Sequence, residues 1–134
     1  MPDAFELPPD LLEAVIGVES NWNEKAVNKK SKATGLGQIT PIALKDFNIE
    51  NKTKYIMKDM LDPQKNMRVS YWYLNDRIPQ LLGRAKIPVT IENVLAGYNA
   101  GVGRLKEKKA DLTKMPIETQ NYLKKVKNLL GRTQ

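Results

Sequence analysis

Apolar residues recur every three or four positions along most of this chain, which is the spacing of α-helices with one buried face. In LLEAVIGVESNWN, residues 11–23, the apolar stripe consists of Leu11, Leu12, Val15, Val18 and Trp22. Glu19 lies on or beside this stripe. Apolar surroundings favour the protonated form of a carboxyl group, which is the form that a general acid requires. Glu19 is therefore a candidate catalytic acid. The alternative is a glutamate at the edge of the stripe with its carboxyl group in water.

Capping residues and prolines divide the chain into five predicted helices. These helices cover residues 10–21, 40–47, 62–78, 90–100 and 116–130. Thr40 and Asp62 each precede a proline, which is typical of an N-terminal cap followed by the first helical residue. Thr90 is expected to cap the fourth helix, and Gly131 is expected to end the fifth.

Two of these helices have apolar faces that the sequence defines. In the third helix the face consists of Met67, Tyr71 and Leu74. Val69, Trp72 and Tyr73 widen this face, which predicts a helix buried on more than one side. In the fifth helix it consists of Ile117, Leu123, Val126 and Leu130, with lysines on the outer side. Residues 48–61 are ambiguous, and we predict a short β-hairpin or a loop there. The chain is therefore predicted to be mainly α-helical, with residues 1–134 forming a single domain.

Two residue types are missing from the sequence, and their absence restricts the chemistry. The 134 residues include no cysteine and no histidine, which excludes disulfides, cysteine nucleophiles, histidine-dependent catalysis and most zinc sites. Neither common pattern of glycine-rich phosphate-binding loop is present. Catalysis would have to use carboxylates, hydroxyls, amides, lysines or a bound cofactor, and we predict no metal site.

The net charge of +7 is concentrated towards the C-terminus. Residues 104–134 contain nine Lys or Arg against three Asp or Glu, a difference of six. Such a surface suits a polyanionic partner (nucleic acid, an anionic membrane surface or an acidic cell-wall polymer), or it serves solubility. The sequence has no apolar run long enough to cross a membrane, and the first ten residues lack the apolar core of a signal peptide.

The segment SKATGLGQIT, residues 31–40, contains a candidate binding group. Gly35 and Gly37 allow the backbone to turn tightly or a ligand to approach closely. Gln38 follows them and offers both a donor and an acceptor, which suits hydroxyl or N-acetyl groups. An ordinary turn before a helix is the alternative interpretation of this segment.

Two further segments place polar residues near predicted helix ends. Tyr98 and Asn99 are adjacent at the end of the fourth helix, where a hydroxyl and an amide can reach a cleft. The alternative is a tyrosine packed in the core with its hydroxyl on a carbonyl group. Glu118 falls in the first turn of the fifth helix, where it complements the helix dipole, and this is a sufficient structural reason for it.

The order of these segments resembles the soluble, goose-type-lysozyme-like lytic transglycosylases. The blocks are ES, GLGQIT, AGYNAGVGRL and IETQNYLKKV, with DPQKNMRVSYWYL between the second and the third. They extend from about residue 10 to residue 130. The resemblance implies a lysozyme-like α-helical fold without a cofactor. It also implies cleavage of the β-1,4 bond between N-acetylmuramic acid and N-acetylglucosamine, with a 1,6-anhydro product.

The resemblance also implies roles for individual residues. Glu19 matches the catalytic acid, and Ser20 matches a neighbouring serine that contacts the acid or the acyl group of the substrate. The residues that match polar positions lining the cleft are Gln38, Tyr98 and Asn99. Glu118 matches a buried supporting glutamate. The chain departs from the family at Gly37, usually a methionine, and at Gly97, often an alanine, so substrate contacts at Gly37 differ from the usual ones.

Three other functions are compatible with parts of the sequence. A goose-type muramidase would use water and a second carboxylate, for which Asp46 is a candidate. A peptidoglycan-binding module without turnover would not need the intact Glu19, Gln38 and Tyr98. A nucleic-acid-binding protein ranks last, because lysines rather than arginines dominate the basic segment.

The expected partner is the glycan strand of peptidoglycan, not a nucleic acid, and the expected oligomeric state is a monomer. We expect the protein to act in the bacterial cell wall or periplasm. Because the chain shows no signal peptide, we expect delivery by a virion, export by another route, or a mature or excised domain.

Overall fold

Helices form most of residues 7–133, the part of the chain that the computed structural model describes. The α-helices are α1 (Leu11–Ser20), α2 (Pro41–Asn51), α3 (Pro63–Trp72), α4 (Ile78–Arg84), α5 (Ile91–Ala100), α6 (Val102–Glu107) and α7 (Ile117–Thr133). Two 3₁₀-helices span Met57–Leu61 and Leu112–Lys114, and the π-helical segment Tyr73–Arg77 joins α3 to α4. The prediction of a mainly α-helical fold is confirmed.

These elements divide into two units. The first unit is Leu12–Tyr73, which contains α2, α3 and all but the first residue of α1. The second unit contains α4 to α7, together with the described residues that precede Leu12. None of the helices between residues 7 and 133 has the length and apolar character that a bilayer span requires.

The core of the first unit is built around the ring of Phe47 in α2. This ring stacks on Tyr55 with centroids 5.8 Å apart, and it meets Trp72 edge-on at 5.3 Å. The other buried members of the cluster are Ile39, Ala43, Leu44, Met60 and Val69. Arg68 covers the outer side, with its guanidinium carbon 5.6 Å from the Phe47 centroid. Aromatic pairs and this cation–π contact together fix α2 against α3.

The second unit is arranged around α5. The middle of this helix, residues 93–97, is buried, and α4, α6 and α7 pack against it. A Cβ atom at Gly97 would lie 3.0 Å from Ile78 Cγ2 and 3.1 Å from Val102 Cγ2. Such distances are shorter than ordinary van der Waals contacts, so the glycine lets α4 and α6 approach α5 closely.

Three predicted helix starts are confirmed by side-chain caps. Thr40, Asp62 and Thr90 accept hydrogen bonds at the N-termini of α2, α3 and α5, respectively. The donors are the backbone N–H groups of Ala43, Lys65 and Asn93, at 3.2, 3.0 and 3.1 Å. Each bond satisfies a donor that lacks a partner within its own helix.

The β-hairpin considered for residues 48–61 does not form. The helix α2 continues to Asn51, and the 3₁₀-helix Met57–Leu61 follows after a short loop. Asn48 holds this loop: its Nδ2 donates to the carbonyl of Tyr55 at 2.8 Å, and its Oδ1 accepts from Tyr55 N at 3.1 Å. One side chain therefore supplies the bonds that a second strand would have supplied. Elsewhere in residues 7–133, the only strand-like pairing is two isolated bridges of Thr34, with Val27 and with Ile39.

The buried face of the third predicted helix differs from the predicted one. The predicted helix 62–78 is longer than α3, because it includes the π-helical residues and the first residue of α4, which follow α3 without a break. Tyr71 is exposed and Met67 is half-buried. The buried positions are Asn66, Val69, Ser70 and Leu74. The prediction is therefore right for Val69 and Leu74 and wrong for Tyr71. Asn66 and Ser70 were missed because they are polar, and their burial depends on hydrogen bonds that an apolar pattern does not reveal.

The last helix is amphipathic as predicted, but its bounds and one member of its face differ. Leu123, Val126 and Leu130 are buried, whereas Ile117 is exposed at the first position of α7. The prediction that Gly131 ends this helix is wrong, since α7 continues to Thr133. The short helix α6 was not predicted, because its start at Val102 follows directly on Gly101.

Candidate active site

Glu19 and Ser20 are the last two residues of α1. The preceding residues Ala14, Val15 and Ile16 are buried, and Glu19 itself is half-buried. The hydroxyl of Ser20 donates to the carbonyl oxygen of Ile16 at 3.2 Å. Its single proton is therefore used within the helix, and Ser20 can meet another group only as an acceptor.

The helix α1 ends abruptly after Ser20. Asn21 and Trp22 both adopt left-handed backbone conformations, with φ of 53° and 62°. The side chain of Trp22 is consequently 51% exposed and does not continue the apolar stripe, so that part of the prediction is wrong. A left-handed residue stops a helix because it reverses the backbone direction. The effect here is to leave Glu19 in the final turn of α1.

Gln38 lies in a tight turn of the first unit. Its φ is 53°, and its Nε2 donates to the carbonyl of Gly35 at 3.1 Å and to that of Ala26 at 3.2 Å. Both amide protons are thus directed into the turn. No described residue donates a hydrogen bond to Gln38 Oε1, so this oxygen is available to accept from a substrate hydroxyl or amide.

The turn that carries Gln38 is attached to α3 by Asn66, a residue that the sequence analysis did not identify. Asn66 is 0% exposed; its Nδ2 donates to the carbonyls of Thr34 and Met60, both at 2.9 Å. Its Oδ1 accepts from Gly37 N and from the hydroxyl of Ser70, again at 2.9 Å. All four bonds of the amide are formed, so Asn66 fixes the glycine turn from within the core.

Gly35 is required in the same turn for two reasons. Its φ is +78°, a conformation that side-chain-bearing residues rarely adopt. A Cβ atom at this position would also overlap the carbonyl oxygen of Met60 and the Nδ2 atom of Asn66. Gly35 is thus a turn residue, as predicted from the sequence, and the close approach that it permits is to the core of the protein itself.

Tyr98 and Asn99 lie together in the last turn of α5, in the second unit. Both are half-buried, and α5 is capped at its C-terminus by Gly101, whose φ is +92°. Asn99 Oδ1 accepts from the hydroxyl of Thr119 at 2.8 Å. Thr119 is 2% exposed and lies in the first turns of α7. The hydrogen bond therefore fixes the orientation of the Asn99 amide.

Glu118 is exposed, so the expectation that it is a buried supporting glutamate is wrong. The first turn of α7 lies at the surface, and the buried polar residue of this turn is its neighbour Thr119. The position of Glu118 agrees with the helix-dipole interpretation. The pattern IETQ contains both Glu118 and Thr119, and the spacing of apolar residues does not indicate which of the two faces inwards.

Asp46, the candidate second carboxylate, is half-buried in α2. Within residues 7–133, no group of three or more aspartate or glutamate side chains is arranged to hold a metal ion. The site residues predicted from the sequence carry carboxyl groups, amides and hydroxyls.

Residues 2–121 match the family described as the transglycosylase SLT domain. The chain belongs to this family. The match covers the whole of the first unit and the second unit as far as residue 121, and it contains every site residue predicted from the sequence. The prediction of an SLT-type lytic transglycosylase domain is therefore confirmed at the level of the family.

Two relatives agree with this assignment, and a third has an unrelated name. The chain is 27% identical to membrane-bound lytic murein transglycosylase F of Alteromonas mediterranea over 104 residues, which are 78% of this chain and 20% of that protein. The protein of the same name from Pasteurella multocida is 27% identical over 119 residues, 89% of this chain and 22% of that one. The chain thus spans about a fifth of the length of these relatives. A match of 28% identity to the aspartate–tRNA ligase of Streptococcus equi subsp. zooepidemicus covers 19% of that enzyme.

The crystal structure of the 70 kDa soluble lytic transglycosylase of Escherichia coli matches this SLT domain with a TM-score of 0.74 and 25% identity. The match covers 90% of this chain and 21% of the other. The lysozyme-like fold expected for the SLT domain is thereby confirmed.

Proposed function

We propose that this SLT domain is a peptidoglycan lytic transglycosylase that cleaves the β-1,4 bond between N-acetylmuramic acid and N-acetylglucosamine. The observation that carries the proposal is the family match over residues 2–121, together with the position of Glu19 in the last turn of α1. The relatives named for this activity are much longer proteins, so the activity of this chain must be tested directly.

Glu19 acts first as an acid and then as a base in the proposed mechanism. The protonated carboxyl group donates its proton to the glycosidic oxygen as the bond between that oxygen and C1 breaks. The 2-acetamido group of the muramic acid stabilises the positive charge that develops at C1. The carboxylate of Glu19 then takes the proton of the O6 hydroxyl as O6 bonds to C1. The product is a 1,6-anhydro sugar, water is not consumed, and Glu19 regains its proton.

The remaining site residues bind the substrate. Gln38 Oε1 accepts from a sugar hydroxyl or from an acetamido N–H, because both amide protons already bond within the turn. Tyr98 and Asn99 present a hydroxyl and an amide from the end of α5, and Thr119 orients that amide. Ser20 takes the role of an acceptor beside Glu19. Glu118 has no catalytic role in this proposal, because its exposed position in the first turn of α7 is explained by the helix dipole.

The test is mass spectrometry of the muropeptides that the protein releases from purified peptidoglycan. We expect products one water lighter than those of hydrolysis, without a reducing muramic end. The Glu19→Gln variant should lose about 10²–10⁴-fold of the activity, since it keeps the shape but cannot transfer a proton. Glu13→Gln is the matched control: it changes an exposed glutamate of the same helix and should leave the activity unchanged.

Each alternative gives a different result in the same experiment. Reducing-end products would overturn transglycosylation in favour of a muramidase with a water-activating carboxylate, and Asp46→Asn would be the next variant. Binding to peptidoglycan without any product from the unmodified protein would identify a binding module. If Glu19→Gln fails to fold by circular dichroism, Glu19 has a structural role.

A further inference from the structure

We propose that a cationic pocket of the second unit binds the carboxylate groups of peptide stems in peptidoglycan. The pocket has a volume of about 470 Å³ and is lined by Arg104, Glu107, Lys108, Lys114 and Pro116. It lies between α6 and the 3₁₀-helix Leu112–Lys114. The inference rests on the proposed function, because it names a part of the substrate that the same domain recognises.

The first wall of the pocket is α6, and a reversal of the chain closes its end. Lys109 and Ala110 have left-handed conformations with φ of 52° and 60°. Ala110 N bonds to the carbonyl of Leu105, and Lys109 N bonds to that of Lys106, both at 2.9 Å. This pair of bonds is the usual C-terminal cap of a helix, although glycine is the usual residue there. The reversal brings the following segment back along α6.

The second wall is held in place by side chains outside the pocket. Asp111 Oδ1 accepts from the backbone N–H and the hydroxyl of Thr113, at 3.0 and 2.6 Å. These bonds lower the pKa of Asp111, with a smaller contribution from the charge of Lys114. Gln120 Nε2 donates to the carbonyls of Thr113 and Met115 at 3.1 and 2.8 Å and so attaches the wall to α7. The positions of the two walls are therefore fixed before any ligand binds.

With the residues that the structure describes, the cations of the pocket form no hydrogen bond or ion pair, although the charge of Lys114 acts on the nearby Asp111. Arg104 lies in α6 and Lys108 caps the end of this helix, four residues further on, a spacing at which like charges repel each other. Among the described residues, none forms a hydrogen bond or an ion pair with the side chain of Arg104, Lys108 or Lys114. By contrast, Lys127 of the same unit bonds to Glu92 at 2.9 Å. An anionic ligand would relieve the repulsion and supply the missing partners.

Glu107 indicates what kind of anion fits. A polymer that carries only phosphate would be repelled by this carboxylate, whereas a peptide that carries carboxylates and an amine would gain a partner for the amine. The pocket has three cations and one anion, which suits two or more carboxylates with one ammonium group. Stem peptides that contain a diamino acid have this combination of charges.

The experiment is calorimetric titration with a synthetic tripeptide of alanine, glutamate and diaminopimelate, linked as in peptidoglycan. In the pocket variant, Arg104, Lys108 and Lys114 are all changed to Gln. The matched control changes Arg84, Lys124 and Lys125 to Gln. These residues are exposed, belong to the same unit and lie outside the pocket, and their substitution removes the same charge. We expect about tenfold or greater weakening of tripeptide binding in the pocket variant and less than about twofold in the control. Equal weakening in both, or no binding by the unmodified protein, would overturn the inference.

The variant Glu107→Gln distinguishes the class of ligand. Binding of the tripeptide should weaken about threefold to tenfold, because the partner of the amine is lost. Tighter binding of the tripeptide, or tighter binding of a polyphosphate probe than of the tripeptide, would mean a general polyanion site and would overturn the inference.

Glycan strands without peptide stems distinguish a failure of this inference from a failure of the proposed function. If these strands are cleaved but the tripeptide is not bound, only the inference fails; if the tripeptide binds but no strand of either kind is cleaved, only the proposed function fails.

Discussion

Replacement of Asn66 by aspartate is expected to make the stability of the protein steeply dependent on pH. The buried amide accepts from Gly37 N and Ser70 Oγ and donates to the carbonyls of Thr34 and Met60. Aspartate has the same shape, but an oxygen takes the place of Nδ2. The two carbonyls then face an atom that can donate to at most one of them, and only while the carboxyl group is protonated.

The magnitude follows from the linkage of protonation and folding. Burial and the two carbonyls disfavour the charged carboxylate, so the pKa of this aspartate in the folded state lies above its unfolded value of about 3.9. The folded state then binds more protons than the unfolded state. Stability is kept below about pH 4 and falls by roughly 1.4 kcal/mol per pH unit above it, until the folded pKa is reached. For a folded pKa above 6, the loss between pH 4 and pH 6 relative to the native protein is about 2.4 kcal/mol.

The assay is urea denaturation at pH 4, 5 and 6, followed by far-UV circular dichroism for the native protein, Asn66→Asp and Asn66→Ala. The alanine variant leaves four buried groups without partners at every pH, and we expect a loss of about 3–5 kcal/mol with no added pH dependence. A difference between Asn66→Asp and the native protein that stays constant from pH 4 to pH 6 would refute the assigned direction of these hydrogen bonds.

Three further predictions concern single contacts. Gly35→Ala should lower the free energy of unfolding, measured by urea denaturation, by about 2 kcal/mol or more, because Gly35 has a φ of +78° and the methyl group would overlap its neighbours. Gly83→Ala is the control: Gly83 lies on α4 in open space, and the substitution should raise the free energy of unfolding by about 0.5–1 kcal/mol. The hydrogen bond from Lys127 lowers the pKa of Glu92, and a double-mutant cycle at pH 7 should give a coupling energy between these two residues of about 0.2–1 kcal/mol. This coupling energy should be lost as the pH falls below 4.5 and through the pKa of Glu92 in the folded state. Thr119→Val should lower kcat/KM about fivefold by releasing Asn99, and Thr119→Ser should restore it.

Each of these predictions has a result that contradicts it. Equal stability changes at Gly35 and Gly83 would mean that the turn tolerates a side chain. A coupling between Glu92 and Lys127 that persists in acid would mean that the contact is not ionic. If Thr119→Val loses stability at unchanged kcat/KM, its hydroxyl serves the fold and not the orientation of Asn99.

The helix starts could be predicted because their signals are local. A capping side chain needs only the backbone N–H two or three residues ahead of it, as at Thr40, Asp62 and Thr90. The prediction that the apolar stripe of α1 extends to Trp22 was wrong, because the end of this helix has no such local signal. Two successive left-handed residues end α1, and periodicity contains no signal for such a reversal when the residues are not glycine.

The site residues could be named only because the order of four motifs resembles a family. Glu19, Gln38 and Tyr98 have ordinary structural alternatives when each is considered by itself. The exposure of Glu118 could not be predicted, because its immediate neighbour Thr119 lies on the buried side of the first turn of α7. Thr119, which is buried there, is polar and therefore resembles a surface residue in the sequence.

The residues missed by the sequence analysis share a physical role, and this role is informative about the site. Asn66 in the first unit and Thr119 in the second are buried polar residues that hold a segment with a proposed substrate-binding group, the turn of Gln38 and the end of α5, respectively. Burying a polar group is favourable only when its hydrogen bonds are formed, so each residue permits essentially one arrangement of its segment. The mechanism proposed above depends on the placement of a carboxyl group, amides and hydroxyls. Variants at these two positions should therefore alter catalysis without any contact to substrate.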